Sequence, residues 1–137
     1  MNKQELEALI RQILAEKLGD GPIKAFSPNI NFTEADRLDT GNPSDRVYTH
    51  DLFTLEQSPR LGVGMMYMER CDFPWHLNYD EVDFVIEGKL TIRSAQGEVS
   101  AQAGEGLLIP KGSDIHFVTE DKARFLYITY PADWQKA

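Results

Sequence analysis

The first eighteen residues carry aliphatic side chains at the intervals of an amphipathic helix. These side chains recur three or four residues apart, so a helix would place all of them on one face. They are Leu6, Leu9, Ile10, Ile13, Leu14 and Leu18. The run Gly19-Asp20-Gly21-Pro22 then ends the helix, because glycine accepts a left-handed cap and proline cannot continue the hydrogen-bond ladder. Residues 1–22 are therefore predicted to form a separate N-terminal helical segment.

The pattern changes after a connector, residues 23–46, which has turn-forming residues and no sustained period. Beyond it, short runs rich in β-branched and aromatic residues alternate with turn residues, as strands do. Eight runs qualify: Val47–Leu55, Leu61–Glu69, Val82–Ile86, Lys89–Arg93, Val99–Ala101, Gly106–Ile109, Ile115–Val118 and Phe125–Tyr130. The sequence predicts an all-β fold, with a jelly-roll barrel over residues 47–137 that the helix precedes.

Charge and cysteine content limit the classes of partner and the cellular compartment that we expect for this chain. The chain has 137 residues, with 22 acidic and 14 basic side chains and a formal net charge of −8. Because this charge repels nucleic acid and anionic membrane surfaces, we expect neither as a partner. Cys71 is the single cysteine, and no apolar run has the length of a signal core or a membrane span. We therefore expect a cytoplasmic protein.

Two stretches of the β region have the order and spacing of the cupin barrel signature. The first keeps a Glu-x6-Gly interval at Glu81 and Gly88. The second has Gly104, then Pro110-x-Gly, then His116. The chain therefore resembles the cupins, and this resemblance implies a cupin-type barrel whose interior binds a metal or a small-molecule ligand.

Two acids stand two positions apart in the first motif. If Glu81 faces the barrel interior, the strand period of two places Asp83 beside it. Two close carboxyl groups oppose each other's ionisation, so one can keep its proton near neutral pH and act as a general acid. Glu81 and Asp83 are therefore the candidate catalytic residues. The simpler interpretation, which we favour for Asp83 from sequence alone, places it near the rim, solvated or paired with Arg93.

A cupin-type metal site commonly needs two His and a carboxylate. His76, Glu81 and His116 are the candidate metal ligands, since they supply this minimum. The spacing departs from the signature, because Pro74 or Asn78 takes the place of one imidazole in the first motif. His116 also follows the second motif one residue late. The sequence leaves open whether a divalent metal is bound.

Three residues beside these groups are candidates for ligand binding: Trp75, Asn78 and Tyr79. Their side chains can stack on a ligand or form hydrogen bonds with it. The alternative is a turn between strands with Trp75 in the core, and for Trp75 we favour the core.

Three runs closely resemble the C-terminal cupin domain of the ethanolamine-utilisation protein Q family. They are FPWHLNYDEVDFVIEGKL at 73–90, AGEGLLIPKGSDI at 103–115 and RFLYITYPADWQ at 124–135. The resemblance covers about residues 47–135. It implies a jelly-roll homodimer from a bacterial microcompartment operon, a degraded metal site and an attributed acetate kinase activity. Members of the family can also carry a much longer N-terminal region than this chain has.

Kinase activity has little support from motifs, because the sequence contains no P-loop. Phosphoryl transfer needs positive charge around the γ-phosphate. Lys111, Arg93 and Arg70 are the nearest cations in the sequence, and the first two are candidate ligand-binding residues. Alternatively, Glu81 and Asp83 could hold Mg²⁺ and let the metal bring the nucleotide.

The helix resembles the encapsulation peptides that tether enzymes to microcompartment shells. An isolated helix of this length is marginally stable and gains stability when its apolar face docks in a groove. We therefore expect residues 1–18 to bind a microcompartment shell protein. The alternative is that the helix packs on its own barrel or across a dimer interface. A homodimer is itself expected, since it would cover exposed sheet edges.

The sequence leaves three functions open. The first is an ethanolamine-utilisation cupin in a microcompartment, with acetate kinase activity on acetate or acetyl phosphate. The second is a non-catalytic assembly factor, in which a dimeric barrel is an adaptor and the helix binds the shell. The third is a metal-dependent cupin enzyme that acts on a small carbonyl or sugar compound through His76, Glu81 and His116.

Overall fold

The structure is a computed structural model, which describes residues 1–18 and 21–136, and the side chains of 1–14 and 21–136. The predicted N-terminal helix is confirmed as α1 (Lys3–Leu18). Its first turn is capped reciprocally: the Glu5 amide donates to Asn2 Oδ1 at 2.7 Å, and the Asn2 amide donates to the Glu5 carboxylate at 3.2 Å. The predicted helix stop at Gly19 and Asp20 lies outside the described residues.

The aliphatic face of α1 is exposed. The side chains of Leu6, Leu9, Ile10, Ile13 and Leu14 are between 39% and 50% exposed. In the described part of the chain, α1 packs against no other helix or strand. The alternative in which the helix packs on its own barrel is therefore wrong. No described helix combines the length and apolarity that crossing a bilayer requires.

Six strands in the described residues form one antiparallel sheet that curls around a single core. They are β1 (Arg46–Asp51), β2 (Gly62–His76), β3 (Asp80–Ser94), β4 (Gly97–Gln102), β5 (Gly106–Ile109) and β6 (Asp114–Tyr130). The order across the sheet is β1-β2-β6-β3-β4, and β5 pairs with β3. The predicted all-β architecture is confirmed.

The prediction of eight separate strands is wrong, because the long strands bend without ending. Val82–Ile86 and Lys89–Arg93 are two halves of β3, Ile115–Val118 and Phe125–Tyr130 are two halves of β6, and Leu61–Glu69 continues to His76 in β2. Irregular pairing marks each bend in β2 and β3, next to residues with positive φ, Arg70 (37°) and Gly88 (81°). Such bulges turn a strand while its neighbours stay paired.

Aromatic side chains on the inner faces of β2 and β6 form the centre of the core. The ring of Phe117 lies 5.4 Å from that of Phe73 and 6.4 Å from that of Phe125, between ring centroids. All three are at most 3% exposed, so each contributes roughly 1.5–3 kcal/mol of hydrophobic stabilisation.

The connector lies on the outside of the barrel and contains a short 3-10 helix, Glu34–Asp36. Arg124 of β6 fixes it, because its guanidinium donates to the carbonyl oxygens of Pro28 (2.7 Å) and Ile30 (3.0 Å). The same guanidinium stacks over the ring of Phe32 at 5.2 Å. The connector therefore belongs to the packed structure rather than forming a free linker.

Candidate functional site

Glu81 and Asp83, here called the acid pair, both face the interior of the barrel from β3. The side chain of Glu81 is 6% exposed and that of Asp83 is 0% exposed. Val82 and Phe84, at the alternate positions, are 43% and 46% exposed. The inward orientation that the strand period predicts for both acids is therefore confirmed.

The interpretation that Asp83 lies at the rim or pairs with Arg93 is wrong. Arg93 follows the inward-facing Ile92 and so points to the outer surface of the sheet. There its guanidinium forms two hydrogen bonds with Asp72, at 2.7 and 3.0 Å. Asp83 is left inside the barrel without a basic partner among the described residues.

A small chamber lies beside Glu81. Its volume is about 10 Å³, roughly the space that one water molecule needs. Aromatic rings form most of its wall, together with one Leu, one Thr and one Met. The aromatic and acidic lining residues are Trp75, Tyr79, Glu81, Phe117, Tyr127 and Trp134. We call this space the aromatic chamber.

Hydrogen bonds hold the rings of the aromatic chamber in place. The indole N–H of Trp75 donates to the Tyr79 hydroxyl at 2.8 Å. The Tyr127 hydroxyl donates to Asp51 Oδ1 at 2.7 Å, and the Trp134 indole N–H approaches the same oxygen at 3.4 Å. These bonds join five parts of the chain: the ends of β1 and β2, the turn before β3, β6 and the segment after β6.

Burial dominates the electrostatics of the acid pair. Desolvation raises the pKa of Glu81 to about 7. The pKa of Asp83 is raised well above its ordinary value, first by burial and then by the negative charge of Glu81. Neither Asp83 oxygen has a hydrogen-bond partner of normal geometry in the described chain. The pair therefore retains a proton near neutral pH.

The structure does not bring the predicted metal ligands together. His76 and His116 alternate with inward-facing apolar residues, so both point away from Glu81 on the outer surface. His76 bonds to Asp114 and Asn78, and His116 bonds to Asp72. No three His, Cys, Asp or Glu side chains among the described residues are placed to hold a metal ion. These residues do not fit a cupin-type metal centre.

The predicted ligand-binding residues divide between the interior and the surface. Trp75 and Tyr79 line the aromatic chamber, and Trp75 also packs against the core, as the favoured interpretation had it. Asn78 is exposed and bonds to His76. Arg93 and Lys111 line two adjoining surface grooves. The five residues therefore do not form a single site.

Sequence reasoning missed three aromatic residues that line the chamber, Phe117, Tyr127 and Trp134, and it missed Asp51, which accepts hydrogen bonds from the last two. The alternation of β6 carries a signal for Tyr127, since Phe125 and Tyr127 are both inward-facing. Trp134 lies after the last strand, outside any periodic pattern. The sequence therefore gives no signal that its indole lines the chamber.

Comparison with known proteins gives close relatives. The chain matches the family described as "Ethanolamine utilisation protein EutQ" over residues 1–136. It is 51% identical to "Acetate kinase EutQ" of Clostridioides difficile (strain 630), covering 98% of this chain and 94% of that protein. It is 45% identical over 85 residues to "Acetate kinase EutQ" of Salmonella typhimurium. That alignment covers 62% of this chain but only 37% of the longer Salmonella protein.

Solved structures agree with these relationships. The structure of the Clostridium difficile EutQ protein superposes with a TM-score of 0.76 at 62% identity, covering 78% of each chain. A cupin-2 domain protein from Shewanella frigidimarina, 24% identical, superposes with a TM-score of 0.51 over 58% of this chain and 76% of that one. The second likeness supports the cupin-type fold alone. By its family match and its close relative, this chain belongs to the EutQ family of ethanolamine utilisation proteins.

Proposed function

We propose that this chain is an acetate kinase of ethanolamine utilisation, which interconverts acetate and ATP with acetyl phosphate and ADP. The supporting observation is its 51% identity, over nearly the full length of both chains, to the C. difficile protein named acetate kinase. The reaction moves a phosphoryl group between two anions, so the protein has to supply positive charge and suppress its own negative charge.

A surface groove of about 600 Å³ offers the positive charge through Lys111. Arg93 lines an adjoining groove of about 510 Å³, where Asp72 already pairs with its guanidinium. Both volumes fall in the range of ligand sites. The larger groove reaches Ile109 of β5, which pairs directly with Glu81 of β3. We place the nucleotide phosphates at Lys111, one strand away from the acid pair.

The acid pair bears on the same reaction through its charge. Two ionised carboxylates would repel acetate and acetyl phosphate, whereas a pair that keeps one proton repels them less. A molecule the size of acetate does not fit the chamber, which has room for about one water. The acetyl group therefore approaches the acid pair only if Trp134, which also lines a surface cleft of about 310 Å³, moves aside.

Lys111→Ala is expected to lower the rate of ATP formation from acetyl phosphate and ADP by about 10- to 100-fold, because it removes a charge beside the phosphates. Lys24→Ala removes a lysine of the connector and should leave the rate unchanged. Coupled assays on protein purified to constant specific activity measure both. Equal rates for Lys111→Ala, Lys24→Ala and the unaltered protein would point to a contaminating kinase.

The exposed helix favours a second function, that of a microcompartment assembly factor. Five aliphatic side chains of α1 are exposed along one face, and α1 packs on no other helix or strand among the described residues. Such a face is stabilised by docking in a partner's groove. We propose that α1 binds a microcompartment shell protein and so places this chain in the cytoplasm, at or inside a shell. This role is compatible with a catalytic or a non-catalytic barrel.

A fluorescent reporter fused to residues 1–22 is expected to collect at shells in cells that produce them, because the apolar face of α1 docks there. Leu9→Glu with Ile13→Glu should disperse the reporter, while Lys3→Glu with Arg11→Glu, on the polar face, should not. Microscopy measures the fraction at shells. Equal recruitment by the first variant and the unaltered helix would exclude this docking mode.

The outer surface of the barrel also carries an apolar patch that suits a homodimer. Val82, Phe84, Ile86 and Leu108 are between 36% and 69% exposed, and Val82 pairs directly with Leu108 across two strands. Contiguous apolar surface of this kind commonly marks an interface, and a self-complementary patch gives a twofold dimer. We propose that two copies of the chain meet through this patch.

Phe84→Glu is expected to give a monomer at micromolar concentration, because it buries a charge in that interface. Leu55→Glu alters an exposed apolar residue in the loop after β1 and should leave the dimer intact. Sedimentation velocity distinguishes the species. A dimer that persists in Phe84→Glu would place the interface elsewhere, and a monomeric parent protein would remove the proposal.

A further inference from the structure

The aromatic chamber has the size and the walls of a site for a small cation. Its volume of about 10 Å³ admits one particle of the size of water. Trp75, Tyr79, Tyr127 and Trp134 contribute their rings to its wall. The rings of Trp and Tyr attract cations over their faces, and this attraction strengthens where water is excluded.

The described residues at the site also carry negative charge without a basic side chain to balance it. Glu81 lines the chamber with a side chain that is 6% exposed. Two positions along the same inner face, Asp83 is fully buried beside the Glu81 carboxyl, and neither of its oxygens has a hydrogen bond of normal geometry among the described residues. No described Lys, Arg or His lines the chamber. One retained proton neutralises only one of two carboxyl groups, and a buried charge without a partner is costly.

The size of the chamber selects the kind of cation. Mg²⁺ keeps several of its waters and Ca²⁺ takes six to eight oxygen ligands, and neither shell fits the space of one water. Potassium also needs a full shell of oxygen ligands, and no three His, Cys, Asp or Glu side chains among the described residues are placed to hold a metal ion. Ammonium is about as large as a water molecule and binds through its N–H donors and over aromatic faces. We propose that the aromatic chamber is an ammonium site, in which the ion binds beside Glu81 among the four aromatic rings. The site does not depend on the kinase activity proposed above.

The titratable groups around the chamber predict how binding depends on pH. Burial raises the pKa values of Tyr79 and Tyr127, so their hydroxyls stay neutral and can offer oxygen lone pairs. The Tyr127 hydroxyl donates a hydrogen bond to Asp51. Glu81, with a pKa of about 7, is the group whose charge changes near neutrality. Cation binding therefore strengthens as the pH rises from 6 to 8.

Thermal unfolding of the full chain at pH 8 in matched 100 mM chloride salts tests the proposal. Ammonium is expected to raise the Tm by about 3–5 °C over choline, which is too large for the chamber. Potassium should give the same Tm as choline, because the chamber offers it too few oxygen ligands. Glu81→Gln should remove the rise with ammonium, and Glu120→Gln, which changes an exposed acid of β6, should keep it. No rise with ammonium, an equal rise with sodium or potassium, or an equal rise in Glu81→Gln would overturn the proposal.

Discussion

Glu81→Gln should stabilise the protein at pH 8 by about 2–4 kcal/mol, measured in choline salts so that no small cation contributes. Burial raises the pKa of Glu81 from 4.5 to about 7, so between these values the folded state holds a proton that the unfolded chain releases. Stability from this group is therefore fully present below pH 4.5 and is lost as the pH rises toward 7. Glutamine has no proton to release.

Urea denaturation at pH 5, 6, 7 and 8 measures this effect. The unaltered chain should lose stability over the series, and Glu81→Gln should lose clearly less. Some dependence should remain in the variant, because burial alone still raises the pKa of Asp83. Glu120→Gln, on the surface, should keep the slope of the parent. Parallel slopes for Glu81→Gln and the parent would mean that Glu81 is ionised at no cost, contrary to its burial.

Gly88→Ala should lower the free energy of unfolding by about 3–4 kcal/mol. Gly88 has a φ of 81° at the bend of β3, a conformation that costs an L-residue roughly 1–2 kcal/mol. A Cβ there would also lie 2.0 Å from the Lys122 carbonyl oxygen of β6, so the backbone of one strand would have to shift. The glycine of the first motif is thus required by close strand packing at the bend.

Gly104→Ala provides a matched control, since Gly104 has a similar φ of 88° with nothing within 4 Å of an added Cβ. It should cost about 1 kcal/mol, the conformational part alone. Urea denaturation of both variants separates strain from collision. Equal losses at the two positions would show that the bend relaxes freely.

Local periodicity predicted the parts of the site that lie on one strand. The alternation through residues 81–86 indicated that Glu81 and Asp83 share one face of β3, although the interpretation favoured from sequence left Asp83 near the rim. The spacing of residues 6–14 was enough to predict α1. The same reasoning failed at the bends of β2, β3 and β6, because a bulged strand looks in sequence like two short ones. Whether a strand continues through a bend depends on its pairing with neighbouring strands, and the sequence does not show which strands are neighbours.

The candidate metal ligands do not come together, for a different reason. His76 and His116 were chosen by residue type and approximate spacing, while the direction of each side chain depends on strand register. Turns separate both His strands from Glu81, so the parity of β3 does not carry across to them. The inward positions next to them hold Trp75 and Phe117 instead. An aromatic wall thus stands where a cupin metal site would have imidazoles.

The acid pair buried inside the barrel is the feature on which the stability, substrate and cation arguments all depend. Its most direct test is a ¹³C NMR titration of the Glu81 and Asp83 carboxyl carbons between pH 4 and pH 9. We expect the pair to begin losing its proton near pH 7, with Asp83 titrating well above its usual range. Ordinary titration of both groups near pH 4, as for acids in water, would contradict a buried, proton-holding pair.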